Sequence, residues 1–149
     1  MQVIGIALLV IFLDQGSKFL IRQVMVLHES VPVVPGIFHI SYILNRGAAF
    51  GILENQQWFF LAIAAVLVGL YVLFRRKIPR QGCVQYGLGL LLGGAFGNAV
   101  DRFFHGAVTD FFDFRVWPVF NVADMGIVAG VVLLLWYSWT HDREGERRP

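Results

Sequence analysis

Four apolar runs, each about as long as a bilayer is thick, divide this chain at roughly residues 3–25, 57–74, 84–103 and 121–139. Hydrocarbon offers backbone N–H and C=O groups no partner, so a run of that length must satisfy them within itself, as a helix does. The expected fold is an all-α polytopic membrane protein with four transmembrane helices, built as one integral membrane domain over residues 1–149. Composition agrees, with 57% hydrophobic residues, 15% charged and a mean hydropathy of +0.66, far from a soluble average. The net charge is only +2, and the basic residues sit in short clusters between apolar runs. That pattern serves membrane topology and leaves no basic face for nucleic acid.

The first run, IGIALLVIFL, has no Lys or Arg before it and no small-x-small site after it, so it reads as a span and not as a cleaved leader. It continues through Asp14, Lys18 and Arg22. Asp14 and Lys18 are spaced i, i+4 and share a helix face, where a structural ion pair with snorkelling cations and a functional pair both stay open. Pro32, Pro35 and Gly36 then end the helix. After them Ile37, His39 and Ser41 alternate with Phe38, Ile40, Tyr42 and Leu44, the period of a strand. A small β-region at the outer membrane surface is therefore expected, followed by a turn at Asn45, Arg46 and Gly47.

The second span stops at Arg75, Arg76, Lys77, Pro79 and Arg80, a basic cluster in a short loop that marks the cytoplasmic side. Arg143, Arg147 and Arg148 then fall on the same side, so both termini are expected in the cytoplasm. Glycines 87, 89, 93, 94 and 97 make the third span the expected packing centre, because small residues let helix backbones approach in lipid. Trp136, Tyr137 and Trp139 form an interfacial belt on the fourth. A single cysteine, Cys83, excludes an internal disulfide.

Between Gly93 and Asp124 four aspartates and two asparagines interrupt the apolar sequence. Ionised acids at membrane level are costly, and those retained usually face a bundle interior and take part in function. The topology brings Asp101, Asp110, Asp113 and Asp124 to the outer face. Asp14, about 13 residues and roughly 20 Å into the first helix, approaches it as well. Gly94, Asn98, Asp101 and Arg102 share one face of the third helix. Asp110 and Asp124 come from different elements beside a bilayer that limits water. Two such carboxylates resist double ionisation and share a proton, as in aspartic proteases. Bland readings compete at each position: Asn121 as helix N-cap with Asp124 at the third position, Asp101 paired with Arg102, Asp113 facing headgroups, Asn45 as a bare turn. His28, His39, His105 and His141 have no metal-ligand spacing, and His105 with Asp110 or Asp113 is the one metal site that can be sketched.

Five motifs then carry a resemblance: DQGSK at Asp14 to Lys18, NRGAAFG at Asn45 to Gly51, GGAFGNAVDR at Gly93 to Arg102, GAVTDFFDF at Gly106 to Phe114, and FNVAD at Phe120 to Asp124. Together, in order and over nearly the whole chain, they resemble the lipoprotein signal peptidases, the type II signal peptidases of bacteria. The resemblance implies a four-span aspartyl endopeptidase of the inner membrane with its site toward the outer face. Its substrates would be prolipoproteins, cut just before a diacylglyceryl-modified cysteine, and globomycin-type cyclic peptides would inhibit it. No metal or cofactor is implied. The implied catalytic pair is Asp110 and Asp124, with Asp14, Lys18, Asn45, Arg46, Gly94, Asn98, Asp101, Arg102 and Asn121 in support. Rival classes are a small ion-coupled carrier, for which inverted repeats are not evident, a metal-assisted hydrolase, and a membrane scaffold, which leaves the acids unexplained.

Overall fold

A computed structural model describes residues 2–47 and 53–145, with side chains to residue 141 at the C-terminal end. Among these residues the chain forms α1 (Gln2–Val24), β1 (Ser30–Val34), β2 (Phe38–Asn45), α2 (Gln57–Phe74), α3 (Gly82–His105), β3 (Val108–Asp113) and α4 (Val122–Gly145). All four helices are long and apolar enough to cross a membrane. Asn121 falls just outside α4, which begins at Val122 and continues past Trp139.

Helix α3 is the centre of the bundle. It buries a stripe of glycines together with Leu92, Asn98 and Asp101, and it packs against α1, α2 and α4. A Cβ at Gly94 would run into the Ala123 carbonyl oxygen, and one at Gly89 would lie 2.6 Å from Ile6 Cβ. Only a residue without a side chain lets these backbones approach so closely, and such contact replaces the hydrophobic drive that lipid removes. The pairs Gly89–Ile6 and Gly93–Val10 show α1 and α3 running in the same direction, whereas Gly87–Leu134 and Gly94–Ile127 show α4 running against them. Helix α2 is peripheral, burying only Ala64. Large apolar side chains such as Leu8, Phe12, Phe19, Leu73 and Leu135 are exposed, which in a bilayer places them against acyl chains.

At the end where α1 and α3 finish, a three-stranded antiparallel sheet in the order β1-β2-β3 caps the bundle. Strand β2 matches the alternation read at residues 37–44. Strand β1 is not among the expected elements, since in the sequence Pro32, Pro35 and Gly36 read only as the end of the first helix. Its Pro32 suits a strand because β1 is an edge, exposed along its length, and the pairing is irregular between Pro32 and Val34. Pro35 and Gly36 make the hairpin turn, with Gly36 at φ +76° and Ile37 N–H donating to the Val34 carbonyl at 3.0 Å. Gly106, at φ +71°, closes α3 by donating its N–H to the Arg102 carbonyl, and so turns the chain directly into β3.

Candidate active site

The sheet and the glycine-packed helices deliver the polar residues to one place. Pairing of Ile43 with Asp110 and of Asn45 with Val108 sets Asn45, at the end of β2, beside Asp110 in the middle of β3. Asn45 Nδ2 donates to Asp110 Oδ2 at 2.9 Å, and Asn121 Nδ2 donates to Asp110 Oδ1 at 2.6 Å. Both oxygens of Asp110 are thus held by amides from different elements. Asn45 Oδ1 in turn accepts the N–H of Gly47 at 2.9 Å. The turn expected there exists, and Asn45 bonds Asp110 as well, so the bare-turn reading is incomplete.

Asp124 is bound in a comparable way. Asn98 Nδ2 donates to Asp124 Oδ1 at 2.7 Å, and the Asn121 N–H donates to Asp124 Oδ2 at 3.2 Å. Asn121 Oδ1 accepts the N–H of Asp124 at 2.9 Å, which completes a reciprocal cap on α4. The helix-cap reading and the site reading of Asp124 therefore describe the same atoms. Another orphan donor of that helix end, the N–H of Ala123, is taken by Asp14 Oδ1 of α1 at 2.9 Å.

Beneath the pair lies a buried ionic cluster. Lys18 and Asp14, both fully buried, pair at 2.8 Å, and Lys18 Nζ also reaches Asp101 Oδ2 at 3.2 Å and Asn98 Oδ1 at 3.0 Å. The cation does not snorkel; three oxygens hold it inside the bundle. Asp101 pairs with Lys18 and with Arg22 at 2.9 Å, and its Oδ2 accepts the Thr109 N–H at 2.9 Å. The expected Asp101–Arg102 pair is thereby overturned, since successive helical residues do not face each other. Arg102 instead donates to the Gly47 carbonyl at 2.9 Å and stacks its guanidinium over Phe60 of α2 at 4.3 Å.

Other expected residues sort plainly. Gly94 sits at the α3–α4 contact. Arg46 is exposed and touches its neighbours through its backbone carbonyl, which accepts the Asn55 N–H at 3.0 Å. The remainder of the Asn45 to Gly51 motif, from Ala48 on, lies outside the described residues. Asp113 pairs with Arg115 at 3.1 Å and accepts from Ser41 at 2.9 Å on the sheet. His105 stands against Arg22 at 2.9 Å, so it belongs to the ionic cluster and not to a ligand set with Asp110 or Asp113. Two members were not among the expected site residues. Gln15 bridges Asp14, the Gly97 carbonyl and Asp101 at 3.0 to 3.3 Å. Arg22, one turn beyond Lys18 on the same face, could have been found from its spacing.

Asp110 and Asp124 open together on a cavity of about 250 Å³ walled by Asn45, Arg102, Trp117 and Phe120. A second cavity of about 290 Å³ shares Asn98, Arg102, Asp124 and Ile127 with the first and runs between α2, α3 and α4 along Phe60, Ile63, Leu67 and Leu91. The chamber that holds the two carboxylates therefore adjoins a second groove against α2, both walled largely by apolar side chains, with Arg102 and Asp124 at the junction. Burial, and secondarily the charge of Asp124, push the Asp110 carboxyl from 3.8 up to about 7; the amides of Asn45 and Asn121 and the charge of Lys18 pull the other way. One carboxyl that keeps its proton near neutrality beside a second one supplies an acid and a base in one chamber.

Known proteins agree with this architecture. A solved bacterial membrane enzyme at 2.3 Å resolution superposes with a TM-score of 0.90 at 31% identity, covering 99% of this chain and 93% of that one. A second, at 1.9 Å, gives a TM-score of 0.80 at 34% identity over 91% and 90% of the two chains. The lipoprotein signal peptidase of Halothermothrix orenii is 42% identical over 95% of this chain and 97% of its own. Those of Pelotomaculum thermopropionicum and Brevibacillus brevis are 45% and 47% identical, covering 85% and 87% of this chain and 84% and 89% of their own. The family model described as signal peptidase (SPase) II matches residues 6–140. By its sequence, its four membrane-length helices and its sheet-capped fold, the chain belongs to the signal peptidase II family, the lipoprotein signal peptidases.

Proposed function

We propose that this membrane protein is an aspartyl endopeptidase that removes the signal peptide of diacylglyceryl-modified prolipoproteins, cutting just before the lipid-modified cysteine, with Asp110 and Asp124 as its catalytic pair. The observation that carries this reading is the amide-clamped carboxylate pair facing a chamber that continues into a largely apolar groove between α2, α3 and α4. The scissile peptide occupies the chamber. The acyl chains on the adjacent cysteine lie in the groove along α2, α3 and α4.

In this mechanism Asp110, protonated near neutral pH, donates a hydrogen bond to the scissile carbonyl oxygen. Asp124 takes a proton from a water that attacks the carbonyl carbon. The oxyanion of the tetrahedral intermediate re-forms the carbonyl as Asp124 passes its proton to the leaving nitrogen, breaking the C–N bond and leaving the pair with the single proton it began with. Asn45, Asn98 and Asn121 hold the two carboxyls in place. Asp14, Lys18 and Asp101 hold Asn98, the start of β3 and the start of α4. Gly94 keeps α4 close to α3. Arg102, which lines both cavities and is fixed by its bond to the Gly47 carbonyl, places a cation beside the substrate backbone. Arg46 contributes through its backbone at the neighbouring turn.

The site faces the outer side of the inner membrane, and both termini and the Arg75 to Arg80 loop face the cytoplasm. Globomycin-type cyclic peptides compete by filling the same chamber and groove. The test is cleavage of a lipidated prolipoprotein by purified protein in detergent micelles, with and without EDTA. Equal cleavage in both is expected. Loss of activity in chelator would replace this reading with a metal-assisted one.

A further inference from the structure

At the opposite end of the bundle from the carboxylates lies a cavity of about 930 Å³, bounded by the first turn of α1, the last turn of α2 and the loop leading into α3. Its lining carries three guanidinium groups, Arg75, Arg76 and Arg80, and no carboxylate among the described residues. Tyr71 and Gln2 add neutral donors, while Val3 and Ile4 make one side apolar. The loop that presents the arginines is anchored: Gln85 Nε2 donates to the Pro79 carbonyl at 2.8 Å, Lys77 N–H donates to the Phe74 carbonyl at 2.8 Å, and Ile78 is half-buried. None of this serves the chemistry of the carboxylate pair.

We propose that this cavity binds the headgroup of an anionic phospholipid of the adjacent leaflet. Three arginines lining one cavity, with no acid beside them among the described residues, suit a phosphate, whose oxygens match the guanidinium fork. The volume lies at the upper end of the roughly 300–1,000 Å³ typical of small-molecule sites, far more than free phosphate needs and suited to a phosphate with its glycerol. The position selects a lipid: the walls are the terminal turns of two membrane spans, one of them partly apolar, so acyl chains leave the cavity directly into the bilayer. Basic pockets at this depth between helices suit anionic headgroups. Lys77 provides an internal contrast. It carries the same charge in the same loop but is directed over the Phe74 ring at 5.9 Å and does not line the cavity.

The experiment uses the full-length protein in neutral maltoside micelles, adding phosphatidylglycerol, phosphatidylcholine or inorganic phosphate, with melting temperature and bound-lipid count by native mass spectrometry as readouts. Phosphatidylglycerol alone is expected to raise the melting temperature, with one tightly bound lipid per chain. Arg76→Gln should weaken its apparent affinity about fivefold, whereas Lys77→Gln, which removes the same charge, should leave it within twofold. Arg75, Arg76 and Lys77 are exposed, and prolipoprotein cleavage in the neutral micelle, unchanged in both variants, verifies that they fold. Equal stabilisation by phosphatidylcholine, equal stabilisation by phosphate, or equal losses in the two variants would each overturn the proposal, the last by reducing it to diffuse surface attraction.

Discussion

Asp110→Asn should separate what this residue does for chemistry from what it costs the fold. In the folded chain burial and Asp124 raise the Asp110 carboxyl from 3.8 to about 7. Below pH 3.8 it is protonated in both states and contributes no pH dependence. Between 3.8 and about 7 the native state keeps a proton that the unfolded chain has lost, so stability falls as pH rises; above about 7 the full cost persists. Each step of one pH unit inside that window removes about 1.4 kcal/mol, so the loss between pH 5 and 8 is about 3 kcal/mol. Asparagine does not titrate, and its rearranged hydrogen bonds to Asn45 and Asn121 cost the same at every pH. The difference in stability between Asp110→Asn and the parent should therefore grow by about 3 kcal/mol in favour of the variant from pH 5 to 8. For a chain of this size that is roughly 5–10 °C in melting temperature. Circular dichroism melts in one detergent at pH 5, 6, 7 and 8 measure it. A gap that stays flat across this range would refute the raised carboxyl, and with it Asp110 as the acid of the pair.

The other expectations concern the support of the site and its orientation. Lys18→Met leaves Asp14 and Asp101 buried without their shared cation, which should cost about 3–5 kcal/mol; thermal melts should show Asp14→Asn in the same chain recovering part of it, and no recovery would mean that the cluster is not coupled through Lys18. Gly94→Ala drives a methyl group into the Ala123 carbonyl, with a loss of about 1–3 kcal/mol and a lower cleavage rate; a variant that melts and cleaves like the parent would contradict the close α3–α4 contact. For topology, in a Cys83→Ala background an impermeant thiol reagent added outside should label Val116→Cys, which is 91% exposed beside the sheet, and should not label Ile78→Cys.

What was legible in the sequence follows from what lipid imposes. Four membrane-length helices could be read because hydrocarbon demands long apolar helices, and the Asp14–Lys18 pair because i, i+4 spacing places both on one face before any tertiary contact exists. Asp101 was assigned the wrong cation because its true partners, Lys18 and Arg22, come from another helix. Only the parallel packing of α1 on α3, set by glycines, brings them together. Strand β1 was hidden by its one proline, Pro32, and by Pro35 just after it, which signal a break unless the strand is already known to be an edge. At Asp124 the cap and the site readings could not be separated by spacing, since one carboxylate answers Asn121 with one oxygen and Asn98 with the other.

The central claim is that Asp110 and Asp124 act as one catalytic unit, and turnover of Asp110→Asn, Asp124→Asn and the double variant on a lipidated prolipoprotein tests it most directly. Each single variant is expected to abolish cleavage while remaining folded, and the double variant to be hardly worse than either one, because removing one member already disables the pair. If Asp124 served only as a helix cap, Asp124→Asn would lose on the order of 1 kcal/mol of stability and keep its turnover. An Asp124→Asn protein that melts early but still cleaves would contradict the account.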